Sequence, residues 1–132
     1  MTNTDLHATG LRLWDEWTEM RNGRPELARA LVADRFTLHV VTPTLGVDPT
    51  TVSDPAAVER WVRAHRAKFA RLTFSSNMRP FVDVAAGVVA GPWSADISVD
   101  ATPRWACGMD TIAFRDGKIT EYWTLSDRKS VV

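Results

Sequence analysis

The chain has 132 residues, 45% of them hydrophobic and 24% charged, with sixteen basic residues balanced by sixteen acidic ones. That length suits one domain, and that much apolar surface offsets chain entropy, which excludes disorder. The absence of a basic excess argues against a nucleic-acid partner, the single Cys107 excludes a disulfide framework or multi-cysteine metal site, and no apolar run reaches the roughly 18 residues of a membrane span.

The opening MTNTDLHATG lacks the basic start and apolar core of a signal peptide, so a cytoplasmic protein is expected. Thr4 or Asp5 can cap a first helix that runs to about Asn22, where Asn22-Gly23 supplies a stop. Its apolar positions, Leu6, Gly10, Leu13, Trp14, Trp17 and Met20, repeat at three- and four-residue spacing and define one broad face. Pro25 opens a short second helix to about Ala33. Phe36 to Val41 alternates and reads as a strand. Thr42 to Asp54 is a loop by its prolines, glycine and threonines. Asp54 then caps a third helix from Pro55 to near Arg71, with Val58, Val62, His65 and Phe69 as its inner stripe.

Beyond Leu72 the pattern shortens to runs of about ten residues, punctuated at Ala86-Gly87, Asp100 to Pro103 and Asp116-Gly117. These predict strands at about 72–84, 87–98, 104–115 and 118–126, the last two joined by an Asp-Gly hairpin. Helices first and an antiparallel meander last make an α+β domain. No repeat, low-complexity tract or linker interrupts it, so residues 1–132 read as one domain.

The stretch Gly108-Met-Asp-Thr-Ile-Ala-Phe-Arg-Asp-Gly-Lys-Ile-Thr-Glu-Tyr-Trp-Thr-Leu-Ser-Asp127 resembles the closing hairpin of nuclear transport factor 2-like proteins, especially SnoaL-like ones. Arg21-Asn-Gly through Ala33-Asp-Arg-Phe-Thr-Leu-His39, and Trp61 through Pro80, are similar to two further passages of that superfamily, in the same order. The resemblance implies a cone-shaped, curved antiparallel sheet wrapped around three helices, with a small-molecule pocket in its concavity. It does not imply one activity, because the fold hosts isomerases, cyclases, hydratases, binding proteins and transport adaptors.

Alternation sorts the side chains of the strand from Arg104. Asp110 shares a face with Gly108, Ile112 and Phe114, and the resemblance turns that face inward; Trp105, Cys107 and Met109 then form an outer row. An inward carboxyl among aromatic side chains has its pKa raised and can serve as a proton donor or general acid near neutrality. Asp110 also matches the protonated oxyanion-hole aspartate of ketosteroid isomerase, a relative of this fold. The isomerase's base falls at Val40 and its tyrosine at Glu16, so that particular reaction is not expected. His39 is the candidate base, although alternation sets it opposite Leu38 and Val40. Tyr122 offers an orienting hydroxyl, and Trp14, Trp17 and Trp93 offer aromatic wall. Asp127 occupies the aspartate position of the SnoaL-type cyclases, without their neighbouring-strand histidine. Glu16 is a candidate partner for Arg79 or Arg35.

No glycine-rich phosphate loop, nucleophile elbow or metal-ligand spacing is present, so no cofactor and no metal are expected. Three functions stay open: cofactor-free acid/base catalysis on a compact apolar or polycyclic carbonyl compound, ligand binding without catalysis, and protein interaction through the outer sheet face. A homodimer formed by the row Trp105, Cys107 and Met109 is expected.

Overall fold

In the computed structural model, which describes residues 2–40 and 47–126, the six-residue stripe of the first helix is the surface on which everything else packs. Helix α1 spans Asn3–Arg21 and buries Gly10, Leu13, Trp14, Trp17, Met20 and Arg21. Its start lies earlier than the predicted cap: Thr2 accepts from the Asp5 backbone while the Asp5 side chain accepts from Thr2, so Asp5 is the third residue of a capping box. Gly10 lets the helix settle onto the sheet. A Cβ there would stand 3.0–3.2 Å from Val89, Val82 and Phe114.

After Gly23, at φ 120°, the chain makes a 3-10 turn at Pro25–Leu27 and a single α turn, α2, at Ala28–Leu31. The predicted second helix is therefore shorter than its sequence suggested. The β-branched Val32 starts strand β1, Val32–Val40, by pairing with Ile119. Within the described part of the predicted loop, Asp48 caps a 3-10 turn at Pro49–Thr51. Helix α3, Pro55–Arg66, begins at the predicted Asp54 cap and stops five residues before the predicted end. The chain turns there because Ala70 donates its backbone N–H to Ser98 and so joins the sheet.

The sheet contains β2 (Arg71–Ser76), β3 (Phe81–Asp83), β4 (Val88–Ser98), β5 (Pro103–Arg115) and β6 (Lys118–Ser126) in addition to β1. The predicted strand at 72–84 is thus two strands, broken before Pro80, which has no N–H for a ladder. The order is β1-β6-β5-β4-β2, with β3 also paired to β4. All pairs are antiparallel except β1 with β6. The result is a curved, unclosed sheet carrying three helices, an α+β cone.

Asp116 and Gly117, at φ 53° and 74°, make the predicted β5–β6 hairpin turn. Just beyond it the register shifts between Ala113 and Phe114. That irregularity lets both Ile119 and Tyr122 bury fully although three residues separate them. Two apolar clusters result. The larger joins α1, α3 and the β1–β6–β5 centre, and the smaller is Leu72, Trp93, Ala95, Ile97 and Ala106 with Phe69 and Phe74 against it.

Gly108 is the tightest point of the sheet. A Cβ there would run into the Leu125 carbonyl oxygen and stand 2.7 Å from the Trp93 ring. We therefore expect Gly108→Ala to destabilise the protein by about 2 kcal/mol or more, as overpacking does. Urea unfolding followed by tryptophan fluorescence measures it; a loss under about 0.5 kcal/mol, the range of neutral surface changes, would contradict this close approach.

Candidate active site

Asp110 sits mid-strand in β5, facing inward and 8% exposed. Gly91 of β4 and Thr124 of β6 are its direct cross-strand partners, and neither fills the space above it with a large side chain. The groups that reach Asp110 come from the diagonals. Trp93, opposite Gly108, lies over that glycine and donates Nε1–H to Asp110 Oδ1 at 2.8 Å. Tyr122, opposite Ile112, donates its hydroxyl to Asp110 Oδ2 at 2.5 Å. Trp14 completes this side by packing on Gly91, with its Nε1 donating to Ser76 Oγ at 3.3 Å.

The end of α1 adds a cation that sequence reasoning missed. Arg21, also 8% exposed, donates from Nη1 to Tyr122 Oη at 2.6 Å and lies 3.9 Å from Asp110 Oδ2. An arginine only donates, so Tyr122 must accept from Arg21 and spend its own hydrogen on Asp110. The guanidinium lies 4.2 Å from the Phe74 ring centre, 5.3 Å from Trp61 and 5.7 Å from Tyr122. Two polar contacts hold this cage. Asn22 Nδ2 donates to the Phe74 carbonyl at 2.8 Å while the Phe74 N–H donates back to Asn22 Oδ1 at 2.6 Å. Arg66 donates to the carbonyls of Arg21 and Leu72, tying α1, α3 and β2 together. A signal for Arg21 was present: it lies four residues after Trp17 and seven after Trp14, on the same stripe.

Burial pushes the Asp110 carboxyl above its ordinary range; Arg21 and hydrogen bonds from Tyr122, Thr124 and Trp93 pull it part of the way back. Burial also raises the Tyr122 phenol, against the pull of Arg21, so Tyr122 keeps its proton. His65, on α3 between the rings of Trp61 and Phe69, is pushed down to about 3 by burial and by Arg21, Lys68 and Arg66. It is therefore neutral at physiological pH.

The structure brings Asp110, Tyr122, Trp93, Trp17 and Trp14 to one side of the sheet. Trp17 lies tilted at 4.7 Å from Tyr122 and stacks at 6.1 Å on Phe36, and its enclosed Nε1 has no acceptor among the described residues. His39 is not with them. It lies on the outer face, stacked on Trp123 at 4.5 Å and 3.1 Å from Glu121, because plain alternation holds through the end of β1. Glu16 pairs with Arg12, one helical turn away, and with neither Arg79 nor Arg35. Asp127 lies outside the described residues.

Solved structures share this arrangement of helices and sheet. A protein from Acidithiobacillus ferrooxidans, provisionally named a polyketide cyclase, superposes with a TM-score of 0.76 at 19% identity, over 93% of this chain and 91% of that one. A SnoaL-like polyketide cyclase from Agrobacterium tumefaciens gives 0.67 at 13% identity, over 99% and 95%. A protein from Catenulispora acidiphila with a ketosteroid isomerase-like fold, solved with trimethylamine, gives 0.72 at 13% identity, over 90% and 88%. The chain has the nuclear transport factor 2-like fold of SnoaL-like proteins. At these identities the likeness establishes the fold alone. No family model matches the chain, and no curated protein matches it in sequence.

Two of the shifted groups, His65 and Asp110, give this fold opposite pH dependences. His65 binds its proton less tightly folded than unfolded, so its contribution to stability is lost as pH falls from 6.5 toward about 3. Asp110 binds its proton more tightly folded, so its contribution is lost as pH rises above 3.8. Each can change stability by up to about 1.4 kcal/mol per pH unit within its window. We expect His65→Leu to gain on the wild type as pH falls below 6.5, and Asp110→Asn to gain as pH rises from 4 toward 7. Urea unfolding at a series of pH values tests both; parallel profiles for the two variants would contradict the assignment.

Proposed function

We propose that this protein is a cofactor-free acid/base enzyme of the isomerase, cyclase or hydratase kind, acting on a compact apolar or polycyclic carbonyl compound beside Asp110. The observation that carries the proposal is a lone inward carboxyl, buried against aromatic rings and held at both oxygens. Trp93 and Tyr122 fix its orientation, and a carboxylate offers about four lone-pair sites, so even with Thr124 also bonding to it a site remains to receive a proton. Its raised pKa brings proton uptake and release closer to neutral pH. Asp110 would take a proton from the carbon beside the carbonyl, and the C–H electron pair would form an enolate. Return of the proton to another carbon isomerises the compound; attack of the enolate carbon on a second carbonyl closes a ring, and the alkoxide so formed takes the proton back from Asp110. Trp14, Trp17, Trp93 and Tyr122 are the proposed wall, and the fold family's names for its members agree with such substrates.

A deuterium-exchange assay tests this reading. Cyclic ketones are incubated with the protein in D2O, and loss of the α-proton signal is followed by NMR. We expect exchange that falls about a hundred-fold or more in Asp110→Asn and is unchanged in His39→Ala. Binding without exchange in the wild type would instead support a non-catalytic carrier, a reading consistent with the hydrogen bonds that both Asp110 oxygens already accept.

The partner we propose is a second copy of the chain, in the cytoplasm. On the outer face Phe81, Trp105, Met109 and Leu125 are between 46% and 64% exposed. An open groove of about 430 Å³ runs among Val88, Met109, Thr111, Trp123 and Leu125. An apolar surface this continuous favours burial against another protein. Light scattering should give a dimer for the wild type and a monomer for Trp105→Glu/Met109→Glu with unchanged circular dichroism; a monomeric wild type at every concentration would remove the proposal.

A further inference from the structure

We propose that Arg21 is the oxyanion-binding residue of this site, its N–H groups receiving the oxygen of a neutral, enolisable carbonyl ligand as charge develops there. The inference rests on the acid/base reading of Asp110. A guanidinium carries five N–H donors in a planar fork. Arg21 is held almost out of solvent, yet its guanidinium makes a single hydrogen bond among the described residues, to Tyr122. The rings of Phe74, Trp61 and Tyr122 cover it and stabilise its charge, but ring faces leave N–H groups in the guanidinium plane unmatched. Trp17 Nε1 is the one fully enclosed side-chain donor without an acceptor among the described residues, so the remaining Arg21 donors open onto space. A buried cation with open donors needs an acceptor there.

Charge balance identifies the ligand class. The charged groups in contact with each other at this point are one cation, Arg21, and one carboxyl, Asp110, 3.9 Å apart. Tyr122 and His65 face them as neutral groups; the Arg66 guanidinium donates to the backbone carbonyls of Arg21 and Leu72, and Lys68 acts on His65. A ligand with a permanent negative charge would leave the enclosure with an uncompensated anion. A neutral ketone does not. Its α-proton passes to Asp110, the C–H pair becomes the C=C bond, and the carbonyl π pair moves to oxygen. The negative charge thus leaves Asp110 and arrives on the ligand oxygen, and Arg21 is the counter-ion before and after. A preorganised donor that meets charge only as it forms is the arrangement that lowers a barrier most.

A phenol imitates the product of that step: its O–H proton goes to Asp110 and its phenolate oxygen to Arg21. The probe is para-nitrophenol, whose phenolate absorption reports ionisation directly, added to the full-length protein at a pH below the phenol's own pKa. We expect the bound probe to show the phenolate band, and the bound phenolate-to-phenol ratio to fall at least ten-fold in Arg21→Gln and less in Arg21→Lys. Because Arg21→Gln removes a buried charge partner and can fail to fold, the wild type provides a second measurement: the Arg21 side-chain Nε–H NMR signal should move on addition of the probe and stay in place with para-nitrotoluene. A probe that binds near Trp93 but stays neutral, an unmoved Arg21 signal, or an Arg21→Gln variant that binds phenolate as well as wild type would overturn the role of Arg21 while leaving the Asp110 reading intact. Absence of any binding that perturbs Trp93 or Tyr122 would overturn both.

Discussion

One buried carboxyl and one buried guanidinium, joined through the hydroxyl of Tyr122, set the terms for the rest of this structure. Enclosing either alone would be prohibitive, and enclosing both is made tolerable by their opposite charges and the hydrogen bonds that join them. Arg21 can only donate and Trp93 can only donate, so Tyr122 must pass the interaction on and Asp110 must receive it at both oxygens. The order of the chain of bonds is dictated by the chemistry of its members.

That arrangement explains residues with no charge of their own. Gly108 clears the strand so that the Trp93 indole can lie over it and reach a carboxyl two positions along. Gly91, directly across from Asp110, leaves room for Trp14. Asn22 pairs with both backbone groups of Phe74 and thereby lays the Phe74 ring on Arg21. Arg66 then fixes the carbonyl of Arg21 itself. Small residues beside large aromatic ones, at positions forced by strand register, are what put α1, α3, β2, β4, β5 and β6 around one pair of charges.

The two faces of the sheet divide the remaining work. Inward side chains alternate along β4 and β5 into two apolar clusters, with the polar pair at their seam. Outward side chains include an unusual run of exposed Phe81, Trp105, Met109 and Leu125, and the His39–Glu121–Trp123 group. Histidine chemistry is therefore kept away from the enclosed carboxyl: His39 is on the other face, and His65 is held neutral on α3.

The sequence by itself determined most of the elements and which way the central strands turn their side chains. Period-two alternation with Asp116-Gly117 and the Asp54-Pro55 cap are local signals, and they placed β4, β5, β6 and the start of α3 correctly, with Asp110 inward and Trp105 and Met109 outward. It also set His39 opposite the inward side chains. What it could not show was which diagonals meet, since a contact such as Trp93 with Asp110 depends on strand register, and Arg21 with Tyr122 joins residues 101 apart. The switch from helix to strand at Val32 likewise follows from its pairing with Ile119. Local patterns fix a side chain's direction; only the packed tertiary structure decides what stands at the other end of it, because the price of burying a charge is settled by partners drawn from distant elements.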